Sequence, residues 1–406
     1  MNLDLKKYKD ELDEELHDIL SFWINHTIDN SNGGFFGEVD NSNKAQSESP
    51  KGSVLNSRIL WAFSAAFRYT KKNEYYAVAE RAYKYIIQHF IDKQYGGVYW
   101  SVDCKGNLLN GRKQMYALAF CVYSLSEFHK IRPHDSALNY AIEIFRIIEQ
   151  YSYDKKQKGY IEAFDMNWKP LADFRLSKKD ANEKKTMNSH LHIIEAYANL
   201  YEIWPENFLK SKIENLLEVF DHYIIDKDRH LCLFFDEHWN PKSKIISYGH
   251  DIEAAWLLQQ CAEKINHYEW VRKMKENAIL ITESAMEGLD HDGGLWCEFN
   301  SNNKTLLAEK HWWPQAEAMV GFMNAYEISK DGKYLELSYK SWQFVKRYIK
   351  DNNNGEWFWG INADYSVMQN QDKAGFWKCP YHNTRACLEL VKRTDRLAHA
   401  PKKYPN

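Results

Sequence analysis

The chain has 406 residues, with 53 Lys and Arg against 56 Asp and Glu, for a formal net charge of −3. No basic field is present to hold nucleic acid, and the longest apolar runs, such as 117–122, are far too short to span a bilayer. The seven cysteines (Cys104, Cys121, Cys232, Cys261, Cys297, Cys379 and Cys387) are odd in number and form no C-x-x-C pair, which fits free thiols in a reducing compartment.

The first residues run into an acidic amphipathic stretch without the apolar core of a signal peptide, so a cytoplasmic protein is expected. A glycine–aromatic motif then appears at Gly33-Gly34-Phe35-Phe36 and ends on Asp40. It returns at Gly96-Gly97-Val98-Tyr99-Trp100 and, more weakly, at Gly159-Tyr160-Ile161-Glu162. A copy without glycine stands at Leu231-Cys232-Leu233-Phe234-Phe235-Asp236, and strong copies follow at Gly293-Gly294-Leu295-Trp296 and Gly355-Glu356-Trp357-Phe358. Gly33, Gly96 and Gly159 are about 63 residues apart and Gly293 and Gly355 about 62, a fixed period that marks a repeat architecture. The fourth copy is stretched, consistent with an insertion in the loop before it.

Between the motifs the pattern is helical. Residues 58–67 are apolar almost all round, whereas 75–90 is amphipathic, with Tyr76, Ala79, Tyr83, Ile86 and Ile87 at helical spacing. The couple recurs as 116–128 with 137–151 and as 250–263 with 268–286. A helix apolar on every side belongs inside and its amphipathic partner outside. Each repeat therefore predicts one inner helix, one outer helix and a short β-hairpin. Six pairs predict an all-α chain, a closed (α/α)6 barrel of six inner and six outer helices; strongly apolar inner helices favour closure over an open solenoid.

The start of each predicted inner helix carries polar or aromatic groups ahead of a very apolar stretch. In chain order these are Arg58, Tyr116, His192, His250, Trp313 with Glu317, and His382. Glu253 lies three residues after His250 and so faces the same side. Taken singly, each has an ordinary explanation: a helix cap, a first-turn acid answering the helix dipole, or an arginine paired with one of the glutamates. Taken together, six equivalent polar positions are costly in a core and expected in a site. Three histidines and two glutamates could also ligate a metal, but no H-E-x-x-H or C-x-x-C spacing is present, and no metal is expected. The glycine pairs sit in hairpins rather than before helices, so no phosphate loop is predicted.

The stretches His250-Asp251-Ile252-Glu253-Ala254-Ala255-Trp256, Trp312-Trp313-Pro314-Gln315-Ala316-Glu317 and Trp377-Lys378-Cys379-Pro380-Tyr381-His382-Asn383-Thr384-Arg385 resemble the N-acylglucosamine 2-epimerase superfamily, and within it the branch acting on cellobiose. Thr186-Met187-Asn188-Ser189-His190-Leu191-His192 and Asn56-Ser57-Arg58 match as well. The resemblance runs from the first glycine motif to about Val391. Residues 1–393 are expected to form a single catalytic domain, and 394–406, without a counterpart, a disordered tail. The resemblance implies epimerisation at C2 of the reducing-end glucose of a β-linked disaccharide. His250 and His382 would be the acid/base pair, His192 would help open the ring, and Arg58 would hold the ene-diolate oxygen. Tyr116, Asn188, Glu253, Trp313 and Glu317 would bind the reducing-end sugar, and Trp377 and Asp180 the second sugar. Histidine's unperturbed pKa of about 6.5 suits both acid and base roles, and proton transfer through an ene-diol needs no electron sink. A monomer without cofactor, nucleic-acid or membrane partner is expected. A glycoside hydrolase using Glu253 with Glu317 or Asp251 is the rival from another class, and a monosaccharide epimerase or aldose–ketose isomerase the nearer one.

Overall fold

A computed structural model describes residues 4–399, and six inner and six outer helices alternate along them. The inner helices are α2 (Ser53–Thr70), α4 (Met115–Ile131), α6 (Met187–Tyr201), α8 (Tyr248–Lys264), α10 (Trp312–Ser329) and α12 (Tyr381–His399). The outer ones are α1 (Leu5–His26), α3 (Asn73–Tyr85), α5 (Asp135–Tyr151), α7 (Asn207–Val219), α9 (Tyr268–Ala285) and α11 (Gly332–Phe344). The chain thus begins on an outer helix and ends on an inner one. Each inner helix packs on the next, and α12 returns to α2, which closes the ring.

Burial follows composition. In α4 every residue from Met115 to Phe128 is buried, whereas α5 buries only the stripe Ala137, Ala141, Ile144, Phe145, Ile148 and Glu149. α3, α7 and α11 each run into a five-residue π-helical turn, Ile86–Phe90, Phe220–Ile224 and Val345–Ile349, whose first and last side chains are both buried.

The glycine motifs form one rim of the barrel. The residue that leaves each outer helix bridges to the motif's first large side chain: Ile28 with Phe35, Ile91 with Val98, Tyr153 with Tyr160, Ile225 with Leu231, Leu289 with Leu295, and Lys350 with Trp357. Inside the turn Gly33, Gly96, Gly159, Gly293 and Gly355 all hold positive φ, the conformation that glycine adopts without strain. In the fourth copy Arg229, at φ 68°, takes that role, which is why its sequence signal is weak. The strand before each inner helix then pairs with the hairpin of the neighbouring repeat, from Lys51–Gly52 with Ser101–Val102 round to Lys310–His311 with Gly360–Ile361. A Val39–Ala374 bridge completes the circle.

Buried lysines, each paired with an aspartate, fasten these links: Lys51–Asp29 at 2.8 Å, Lys113–Asp92 at 2.6 Å, Lys185–Asp154 at 3.0 Å, Lys310–Asp290 at 2.6 Å and Lys373–Asp351 at 2.6 Å. Repeat four has Ile246 before its inner helix, and there Asp251 bonds His230 at 2.7 Å instead. The expected tail needs correction: α12 continues to His399 with Thr394 buried, because the end of the helix packs on α1. The rest of that tail, 400–406, lies outside the described residues. Among the described residues no helix is long and apolar enough to cross a membrane.

Candidate active site

A cavity of about 460 Å³ opens at the hairpin rim, a size in the range of small-molecule sites. Of the residues singled out from sequence, Arg58, Tyr116, Asp180, Asn188, His192, His250, Glu253, Trp313, Trp377 and His382 all line it. They stand in two tiers because the inner helices start at one level. Tyr116, Asn188, His250, Trp313 and His382 lie in the first turn, while Arg58, His192 and Glu253 lie one turn deeper. Asp180 comes from the loop before α6, where its carboxylate accepts the Ser177 amide at 2.8 Å.

Arg58 is 3% exposed, yet no carboxylate lies within ion-pair range of it among the described residues. Aromatic rings surround the guanidinium instead, with its carbon 4.1 Å from the Phe120 centroid and 5.0 Å from that of Tyr381. Nη2 donates to the Tyr116 hydroxyl, Nη1 reaches the Trp377 carbonyl at 3.4 Å, and Nε has no partner. The ordinary explanation, pairing with Glu253 or Glu317, fails because Arg385 holds both.

The three histidines are braced differently. His192 Nδ1 bonds Glu195 at 3.0 Å, and His382 Nδ1 bonds Glu317 at 2.7 Å. His250 Nδ1 bonds only the Ser247 hydroxyl, at 2.8 Å. The Trp313 ring packs on both members of the expected pair, with its centroid 4.7 Å from His250 and 5.7 Å from His382. Burial, with His192 nearby, pushes His250 down to about 3. Burial, Arg58 and Arg385 hold His382 well below the usual histidine range. Both rings are therefore neutral near pH 7 and able to accept a proton.

Glu317 is not part of the cavity wall, which corrects its expected contact with sugar. It sits behind His382, accepting Trp256 Nε1 at 3.0 Å and Arg385 Nη2 at 2.6 Å. Arg385 also bonds Glu253 at 2.6 Å and Glu195 at 2.5 Å. Against the cost of burial, Arg385 and then the His192 bond hold Glu195 down at about 2. Glu253 moves the other way, pushed up to about 7 by burial and then by Glu317. Glu253, Glu317 and His382 offer donor atoms within 4.8 Å of one another, the spacing of a metal site, but the Arg385 guanidinium fills the space between the two carboxylates. The same placement leaves Glu253 and Glu317 on one cation rather than across a scissile bond, and Asp251 is tied to His230 outside the cavity.

Arg385 and Glu195 escaped the reading of the sequence, although a signal existed. His192 and Glu195, His250 and Glu253, and His382 and Arg385 share one three-residue spacing, which puts a charge on the same helix face as each histidine. Trp312, Trp359, Gln371 and the loop residues Leu176, Ser177, Lys178 and Lys179 also line the cavity, and most of these come from segments without periodicity.

The family model described as N-acylglucosamine 2-epimerase (GlcNAc 2-epimerase) matches residues 34–386. The chain is 44% identical to the cellobiose 2-epimerase of Bacteroides fragilis, over 94% of this chain and 98% of that protein. It is 39% identical to the cellobiose 2-epimerase of Dictyoglomus turgidum, over 96% of this chain and all of the relative. The solved cellobiose 2-epimerase of Bacillus thermoamylovorans superposes with a TM-score of 0.92 at 39% identity, covering 96% of this chain and 100% of that one. Sequence, fold and cavity agree: the chain belongs to the N-acylglucosamine 2-epimerase family, in its cellobiose 2-epimerase branch, and is a carbohydrate epimerase.

Proposed function

We propose that the protein inverts C2 of the reducing-end glucose of a β-1,4-linked disaccharide, converting cellobiose to glucosyl-mannose and lactose to epilactose. The observation that carries this reading is Arg58, a buried cation with no carboxylate partner among the described residues, beside three histidines whose Nδ1 atoms are already engaged. A desolvated, unpaired guanidinium favours an anion formed during reaction, and an ene-diolate is such an anion. His192 moves the proton that opens the ring. One of His250 and His382 removes the C2 proton as a neutral base; the other takes up a proton from water as the ene-diolate anion forms beside it and returns it to the opposite face. The base then gives the C2 proton to water, which leaves both rings neutral. The chemistry moves only protons, so no metal or redox cofactor is required. Four cavity tryptophans, Trp312, Trp313, Trp359 and Trp377, offer flat faces for a pair of sugars.

Proton NMR of cellobiose incubated with the enzyme tests this directly. Appearance of a reducing-end mannose signal is expected. Release of glucose would establish a hydrolase, and a ketose as sole product an isomerase.

A further inference from the structure

Beneath the cavity one guanidinium gathers three carboxylates. Arg385 Nη1 bonds Glu195 Oε1 at 2.5 Å and also meets the Tyr381 hydroxyl, and Nη2 bonds Glu253 Oε1 and Glu317 Oε1, each at 2.6 Å. The far oxygen of Glu195 holds His192 at 3.0 Å, and Glu317 Oε1 holds His382 at 2.7 Å. The residues come from α6, α8, α10 and α12, so one side chain ties four inner helices and the braces of two histidines together.

We propose that Arg385 is a positioning residue that fixes the tautomers of His192 and His382 together, and so couples ring opening to proton transfer at C2. The inference rests on the epimerase reading above. An ionised carboxylate only accepts, so a histidine bonded to one must place its proton on Nδ1 and turn Nε2, as an acceptor, to the cavity. Three carboxylates this close cannot all stay ionised without a cation among them. Tyr381 and Trp256 donate to the cluster, and Arg58 is the other cation near His382, but neither neutral donor supplies charge. Without Arg385 a proton settles on one of the carboxylates; where that carboxyl faces a histidine it becomes the donor, and the ring must expose an N–H to the substrate where a base is needed. Of the cavity wall, only Glu253 is bonded to Arg385, so the loss falls mainly on turnover.

The test compares wild type with Arg385→Ala and Arg385→Lys, using cellobiose kinetics and nitrogen NMR of histidine-labelled protein, with the His192 and His382 signals assigned from Asn variants. In wild type both rings should carry the proton on Nδ1. In Arg385→Ala at least one should switch to Nε2, kcat should fall about a hundredfold with KM within a few-fold, and added guanidinium should restore kcat where equal sodium chloride does not. If the alanine variant does not fold, Arg385→Lys carries the test, with lowered kcat at unchanged KM expected. Unchanged tautomers, unchanged kcat, or a loss confined to KM in a folded variant would overturn the proposal. Wild type that makes no mannosyl product would instead sink the epimerase reading, which the tautomer spectra address separately.

Discussion

The two histidines that face each other across Trp313 are held by unlike walls. His382 leans on Glu317, a carboxylate locked by Arg385 and Trp256 in a buried ionic cluster. His250 leans on the Ser247 hydroxyl at the start of α8, with no carboxylate behind it among the described residues. A carboxylate can only accept, which fixes the His382 proton on Nδ1, whereas a hydroxyl donates or accepts and suits either tautomer of His250. Under the proposed mechanism the same side chain, at nearly the same height on two inner helices, would serve once as a committed base and once as an adaptable acid/base. A reaction run in both directions would use each, and the difference can be probed from either wall.

The largest effect is expected from removing either ring. His250→Asn and His382→Asn should each lower net epimerisation by about 10³–10⁴-fold, the upper range of general acid–base contributions. Near-normal turnover in either variant, measured by NMR, would make that histidine structural. Arg58→Ala should follow, lowering kcat and kcat/KM alike by about a hundredfold, by analogy with loss of one oxyanion donor. A variant that keeps kcat and only raises KM would contradict its role.

These residues were legible in the sequence because the inner helices are so apolar that each polar group at their start stands out. The closed barrel was legible for the same reason, since a helix such as α4, buried on every face, demands an outer layer. What spacing could not give is direction. Glu317 occupies the same turn of α10 as Glu253 does of α8, yet it faces the neighbouring α12 while Glu253 reaches the cavity. The lysine–aspartate clasps of the rim join residues 20 to 31 positions apart through a hairpin, and the cluster under Arg385 joins four helices; both depend on ring closure and leave no local periodicity. The end of α12 was missed because its last turns, with Thr394 covered, follow from packing on α1.

The braces themselves should matter less than the rings, and unequally. Glu317→Gln removes the charge behind His382 and should cost about tenfold or more in kcat, one pKa unit of lost base support. Ser247→Ala removes a neutral hydrogen bond worth about 1 kcal/mol and should cost roughly fivefold. Equal losses would erase the distinction between the walls. Acidity sharpens it further. Glu253, raised to about 7, is protonated below that pH and ionised above it, and its anion supports an imidazolium on His382, 3.8 Å away. kcat/KM should therefore fall as pH drops through about 7, well above the range where His250 itself, lowered to about 3, would gain a proton. Glu253→Gln should abolish that limb at the cost of lower activity; a limb unchanged in the variant would assign it elsewhere.

The central claim is that two exchanging bases work on opposite faces of C2. Wild-type enzyme should be given cellobiose in deuterium oxide, and the C2 position of the mannosyl product read by NMR at low conversion. The account predicts deuterium at C2 of that product, because the ring that donates the proton has exchanged with solvent. Product formed with protium retained at C2 would contradict it, and would require a single shielded base or a hydride shift.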